Sequence, residues 1–140
     1  MTEALAVAQQ TNAQIEEAVR VIVAESLGKK PELVKLDSVL MSDLDAESLD
    51  FLDIVFRLER DFGIEITRGE MERASRGDMT AEEFAPGGVI SEAGLVRLRT
   101  LMPEAADRIK PGLRPSTILT LFSVQTFANM VIGKRDGRAV

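Results

Sequence analysis

Ser48 is the residue whose type and setting best suit chemistry. It lies in Leu44-Asp45-Ala46-Glu47-Ser48-Leu49-Asp50, at the expected start of a helix, where free N–H groups and the helix dipole favour an anion. A serine there also has an ordinary use as an N-cap, its Oγ accepting a backbone N–H. No His in the chain could activate the hydroxyl, so Ser48 is not read as a self-sufficient nucleophile. The sequence has no His and no Cys, which excludes Ser-His-Asp and Cys-His catalysis, disulfides, and zinc sites built on those ligands. Ser48 is therefore read either as a cap alone or as a residue that another enzyme modifies, a phosphodiester suiting the position. No catalytic residue is assigned.

Acids crowd around this serine. Between residues 43 and 65 stand eight acids and two arginines, a net −6 that equals the charge of the whole chain. Composition leaves two readings open, a solvated helix face and a docking surface for basic partners. Asp43, Asp45 and Glu47 do not make a calcium loop, because an EF-hand register needs Gly and Glu where Ser48 and Ile54 stand. No metal site is expected. The acidic balance argues against a nucleic-acid partner, and the absence of Trp and Tyr removes most base-stacking side chains. No segment is long and apolar enough for a membrane span, and the first residues lack the basic start of a signal peptide. A cytoplasmic protein is expected.

Several elements must position Ser48. Ile15, Val19, Ile22, Val23 and Leu27 recur at helical spacing. Thr11 and Gln14 have capping-box spacing, and Gly28 and Pro31 mark the stop. A second helix is predicted over 48–62, ending at Gly63. It buries Phe51, Ile54, Leu58 and Phe62, while Leu49, Leu52 and Phe56 form an offset apolar set, either buried on a second side or shown to a partner. The acidic loop over 29–47 is expected to be pinned to the core by Leu33, Leu36, Val39, Leu40 and Leu44. A last helix starts near Ser123, buries Val124, Phe127, Ala128 and Val131, and is expected to end at Gly133. Ile64-Glu65-Ile66 alternates too briefly for a strand.

Residues 67–120 differ in kind, holding four of the five prolines. Ser91 and Pro103 bracket a short helix carrying Leu95, Leu98 and Leu101, and Ser116 is expected to cap another turn. The apolar content is too high for disorder. The segment is therefore expected to fold against the rest, broken into short pieces at Pro86-Gly87-Gly88 and Pro111-Gly112.

The run Glu47-Ser48-Leu49-Asp50, then Leu52-Asp53-Ile54-Val55-Phe56-Arg57-Leu58-Glu59 and Asp61-Phe62-Gly63-Ile64-Glu65-Ile66, resembles the acyl carrier protein family. The stretch 121–131 resembles that family's last helix, and the first helix matches in kind. The resemblance covers residues 11–66 and 121–132. It departs in three places. Glu47 stands where Asp is usual, Arg57 and Arg60 interrupt a more uniformly acidic face, and 54 residues, 67–120, fill a far shorter gap.

The resemblance implies an all-α fold, a four-helix bundle with a partly helical insertion, in one domain spanning 1–140. A flexible leader over 1–10, the insertion over 67–120 and a flexible tail over 134–140 complete it. It implies a carrier without an active site of its own. Ser48 would bear a 4′-phosphopantetheine arm from coenzyme A, on which acyl groups are held as thioesters, with the bundle sheltering the chain between its helices. Asp50, Asp53 and Asp61 would steer basic partners, and Leu49, Leu52 and Phe56 would form the apolar contact, with Phe56 and Met41 as anchors. Partners would be a phosphopantetheinyl transferase and acyl-transfer or fatty-acid synthesis enzymes with basic docking patches, in specialised fatty-acid or lipid biosynthesis, the carrier acting as a monomer. Two other readings stay open: an unmodified helical interaction module, and an aminoacyl or peptidyl carrier of an assembly line.

Overall fold

The N-terminal capping box expected at Thr11 is present in the computed structural model, which describes residues 7–137. The Gln14 N–H donates to Thr11 Oγ1 at 3.1 Å and the Thr11 N–H to Gln14 Oε1 at 2.8 Å. They start helix α1 (Asn12–Ser26), which ends where Gly28 takes a left-handed φ of 67°. Then follow α2 (Leu40–Leu44), α3 (Ser48–Phe62), α4 (Arg68–Arg76), α5 (Ala81–Phe84), α6 (Glu92–Leu101) and α7 (Val124–Arg135). Between them lie 3-10 turns over Pro31–Leu33, Pro86–Gly88, Pro103–Arg108 and Pro115–Leu121. Each begins on a proline, whose fixed φ suits a first helical position and whose missing N–H is not needed there. Among the described residues no strand forms, and the one sheet-like contact is an isolated antiparallel bridge between Val39 and Ser123. The fold is all-α.

α1 packs on α7 and α3, while α4 and α5 pack on α6. The segment Pro103–Arg108 joins α6 to α7. The core is continuous across both groups. Ile15, Val19, Ile54, Leu58 and Phe127 are fully buried, and Phe84, Leu95, Leu98 and Ile109 of the insertion belong to the same apolar cluster. Residues 67–120 therefore fold against the bundle. Lys134 of α7 also pairs with Glu70 of α4, which holds the Glu70 carboxyl below the usual carboxylate range.

Several expectations need correcting. The loop over 29–47 contains a helix, α2, whose Leu40 and Leu44 are buried. Leu33 is not pinned to the core but 67% exposed. Its turn is held instead by Arg20, whose guanidinium donates to the Pro31 and Val34 carbonyls. Ser116 caps nothing and lies inside Pro115–Leu121, whose cap is Arg114. Gly133 does not end the last helix. It is buried within α7, which runs on to Arg135, so Lys134 and Arg135 are helix rather than tail. Residues 138–140 of the expected tail and 1–6 of the expected leader lie outside the described residues. Within the leader, Val7–Gln9 makes one 3-10 turn.

Candidate functional site

The backbone before Ser48 reverses sharply. Asp45 closes α2 in the left-handed region, with φ 57° and ψ 31°, among the described residues the one non-glycine there. The N–H groups of Asp45 and Ala46 both point back to the Leu40 carbonyl. At the other end of α2, the Asp43 carboxylate accepts the Val39 N–H at 2.8 Å. Buried Leu44, Ala46 and Phe51 anchor the turn from the inside. Ser48 is thereby presented outward as the first residue of α3.

Ser48 is not the N-cap. Glu47 takes that position, in extended conformation, and the Asp50 carboxylate accepts the Glu47 N–H at 2.7 Å. The Ser48 side chain is exposed and engaged in no hydrogen bond. A phosphodiester on this oxygen would stand beside first-turn N–H groups that lack partners inside the helix. An exposed, uncommitted hydroxyl preceded by a hydrogen-bonded turn thus fits a covalently attached arm.

α3 separates its two apolar sets as the spacing requires. Phe51, Ile54, Leu58 and Phe62 face the core. Leu49, Leu52 and Phe56 are 77%, 68% and 60% exposed. They form a stripe at i, i+3 and i+7 that leads away from Ser48. Met41 is half-buried behind the turn.

The three aspartates predicted to steer partners are not equivalent. Asp50 is half-buried and holds the Glu47 N–H. Asp53 accepts from Ser26 Oγ at 2.5 Å and from Arg57 Nε at 2.8 Å. The Ser26 hydroxyl first, and the Arg57 guanidinium second, hold its carboxyl below the usual carboxylate range. Asp61 is exposed and pairs with its neighbour Arg60 at 2.8 Å. Glu59 accepts the Ile66 N–H at 2.8 Å, fixing the exit from α3. The role of Ser26, on another helix and 27 residues from Asp53, had no signal in the sequence. Arg57 had one, since it lies four residues after an aspartate on the same helix. Among the described residues no cluster of three or more acids is arranged to hold a metal ion, and no helix is long and apolar enough to cross a membrane.

Beneath the stripe, Phe51, Phe122 and Phe127 pack ring against ring, with centroids 5.5–6.0 Å apart. Three backbone hydrogen bonds stitch the chain before α2 to the start of α7: Leu40 N–H to Phe122 O (3.0 Å), Val124 N–H to Ser38 O (3.0 Å) and Gln125 N–H to Leu36 O (2.8 Å). Two concave regions lie away from Ser48. A groove runs between α1 and the end of α3, past Val21, Ile22, Arg60 and Phe62. A polar cleft in the insertion is lined by Arg76, Asp78, Glu83 and Arg97.

Comparison with known proteins covers the stretch that contains Ser48. Residues 17–81 match the family described as "Phosphopantetheine attachment site". The match includes Ser48 and all of α4, and leaves 121–132 outside. An acyl carrier protein of Campylobacter hominis is 45% identical over 60 residues, covering 43% of this chain and 76% of that protein. An acyl carrier protein of Chlamydia trachomatis serovar L2 is 39% identical over 59 residues, covering 42% and 77% respectively. No solved structure matches.

Proposed function

The chain belongs to the acyl carrier protein family, and on that premise we propose that Ser48 carries the 4′-phosphopantetheine arm and that the outer face of α3 receives the partner enzymes. The family works as carriers rather than catalysts, and the absence of His and Cys from this chain accords with that. The observation that carries the assignment is the Ser48 hydroxyl, exposed and unbonded at the head of a solvent-facing apolar stripe. The arm supplies a thiol on a long flexible tether, which holds an acyl group as a thioester.

The protein's own residues do three things in this reading. The left-handed turn at Asp45 and the buried Ala46 and Phe51 fix where Ser48 stands. Leu49, Leu52 and Phe56 offer a partner an apolar area already clear of the core. Glu47, Asp50 and Asp61 give that area a negative field, which speeds encounter with a basic enzyme surface. The same carboxylates repel a free phosphate, so the arm stays through its covalent bond and not through ionic binding. Phosphopantetheinyl transferase and acyl-transfer or fatty-acid synthesis enzymes with basic patches, in the cytoplasm, are the partners this surface suits. Specialised fatty-acid or lipid synthesis is the pathway class.

Incubation of the full chain with coenzyme A, Mg²⁺ and a phosphopantetheinyl transferase tests the assignment. Intact mass should rise by one phosphopantetheine in the wild type and not in Ser48→Ala. Labelling of Ser48→Ala would move the site elsewhere. A wild type that gains no mass would leave an unmodified interaction module.

A further inference from the structure

Asp45 is an aspartate where the backbone suits glycine. Its φ of 57° and ψ of 31° lie in the left-handed region, which disfavours a residue with a Cβ and leaves glycine unstrained. The turns that close α1 and α3 meet the same requirement with glycines, Gly28 at φ 67° and Gly63 at φ 65°. An aspartate is most at ease in that conformation when its carboxylate bonds to nearby backbone. Here it does not. The Asp45 carboxylate is exposed and, among the described residues, has no hydrogen-bond or ion-pair partner.

The other acids around Ser48 are occupied. Asp43 accepts the Val39 N–H, Glu47 and Asp50 share the capping box that starts α3, and Asp53 is taken by Ser26 and Arg57. Asp45 is thus the uncommitted charge next to the serine. Its position is fixed nonetheless. The Asp45 and Ala46 N–H groups both reach the Leu40 carbonyl, and the flanking Leu44 and Ala46 are 5% and 7% exposed. Three peptide steps, at most about 10 Å of chain, lead from Asp45 to Ser48. An enzyme that takes the Ser48 hydroxyl into its active site therefore brings its rim within reach of the Asp45 carboxylate.

We propose that Asp45 is a recognition residue for the enzyme that loads Ser48, its carboxylate pairing with a basic side chain at the rim of that enzyme's active site. This rests on the Ser48 assignment. Held by a hydrogen-bonded turn, the carboxylate needs no ordering of backbone before it pairs. The charge in turn explains the residue, because glycine would make the same turn without strain and would present no charge to the enzyme. A rim charge of this kind acts on encounter and affinity rather than on the chemical step.

The test follows loading of the full chain with coenzyme A, Mg²⁺ and one phosphopantetheinyl transferase, with initial rates read from intact mass at several carrier concentrations. Asp45→Asn keeps a side chain that tolerates the left-handed region and removes the charge. Asp45→Gly removes the charge and relaxes the backbone. Both should have urea midpoints no lower than wild type. Both should raise KM about fivefold, the most that an exposed ion pair is usually worth, with kcat unchanged. The gap from wild type should close as salt is raised. Asp45→Ala should show the same KM together with a lowered urea midpoint, because alanine is strained at this φ. A wild-type KM in Asp45→Asn and Asp45→Gly would show that the carboxylate is not read and would overturn the inference, while the mass gained would leave the Ser48 assignment standing. A fall in kcat at unchanged KM would also overturn it, making Asp45 a residue that only positions the serine. No gain in mass by the wild type would remove the Ser48 assignment, and this inference with it.

Discussion

α3 and the insertion are both rich in charge and use it in different ways. Residues 43–65 carry a net −6, whereas residues 67–120 hold eight basic and eight acidic residues and are neutral. In the insertion, arginines reach across to backbone. Arg97 donates to the Ala74 carbonyl, Arg99 twice to that of Ile109, Arg108 to that of Leu121 and Arg114 to that of Gly88. Short helices and 3-10 turns leave many carbonyls without a helical partner, and a guanidinium with five donors can satisfy them at a distance. On α3 the long helix satisfies most of its own backbone, and only Asp50 and Glu59, at its two ends, accept backbone N–H groups. Leu49, Leu52 and Phe56 touch solvent. Charged residues in a sequence therefore do not all count as surface available to a partner. Four arginines of the insertion hold the fold, while much of α3's outer face is free to meet another protein.

The sharpest way to break this contrast is Gly94→Val. A Cβ at Gly94 would lie 2.7 Å from Ile90 Cγ2 and 2.9 Å from both Phe84 Cδ1 and the Phe84 carbonyl. Overpacking of that kind costs roughly 3 kcal/mol, and the urea midpoint should fall accordingly. Ser48 loading of the molecules that remain folded should be unchanged. Arg99→Met comes next. It leaves the Ile109 carbonyl without its two guanidinium donors and should cost about 1–2 kcal/mol, again without slowing transfer of an acyl group to a partner.

A smaller effect sharpens the comparison within α3. Asp53 is the acid most committed to structure, and its folded pKa lies below its ordinary value through Ser26 and then Arg57. A depressed carboxylate pKa stabilises the fold above the unfolded value of about 4, and that stabilisation is lost as pH falls through the folded pKa. Wild type should be more resistant to urea than Asp53→Asn at neutral pH, and the difference should fade in acid. An undiminished gap at low pH would show that the carboxylate charge is not what matters there.

The smallest effect on stability is expected at Leu52→Ser, within about 0.5 kcal/mol for an exposed side chain. Acyl transfer to a partner enzyme should nevertheless slow, because the stripe loses its middle member. Equal transfer rates with wild type would count against α3 as the docking face. Leu33→Ser, at a comparably exposed leucine outside the stripe, is the matching control and should change neither.

Helix ends and faces were legible wherever the signals were local. The Thr11 capping box, the stops at Gly28 and Gly63, the inward and outward sets of α3, and the Ser91 start of α6 are all set by residues within a turn or two. What was hidden depended on distant chain. α2 has five residues, too few to show a period, and its first N–H is satisfied by the Phe122 carbonyl. Glu47 displaced Ser48 as cap because Asp50 takes up the Glu47 N–H. Gly133 reads as a stop by type, yet it is buried inside α7, where Met130, Val131 and Ile132 beside it are buried too and the helix runs on. The exposed serine itself was found through its motif and its place at a helix start. The hydrogen bonds that Glu104 accepts from Thr126 and Asn129, and that Arg108 donates to the Leu121 carbonyl, left no pattern in the sequence.

The three stitches between residues 36–40 and 122–125 also explain how a bundle of this kind tolerates so long an excursion before its last helix. Bringing the ends of a chain segment together costs entropy that rises only with the logarithm of its length, about 0.6 kcal/mol for each doubling. Once Val39 and Ser123 are paired, the path between them can lengthen at little thermodynamic penalty, provided that the added residues bury their own apolar groups. Phe84, Leu95, Leu98 and Ile109 do so. The Val39–Ser123 bridge is in effect a fixed clasp, and the connection it closes is free to grow into structure of its own.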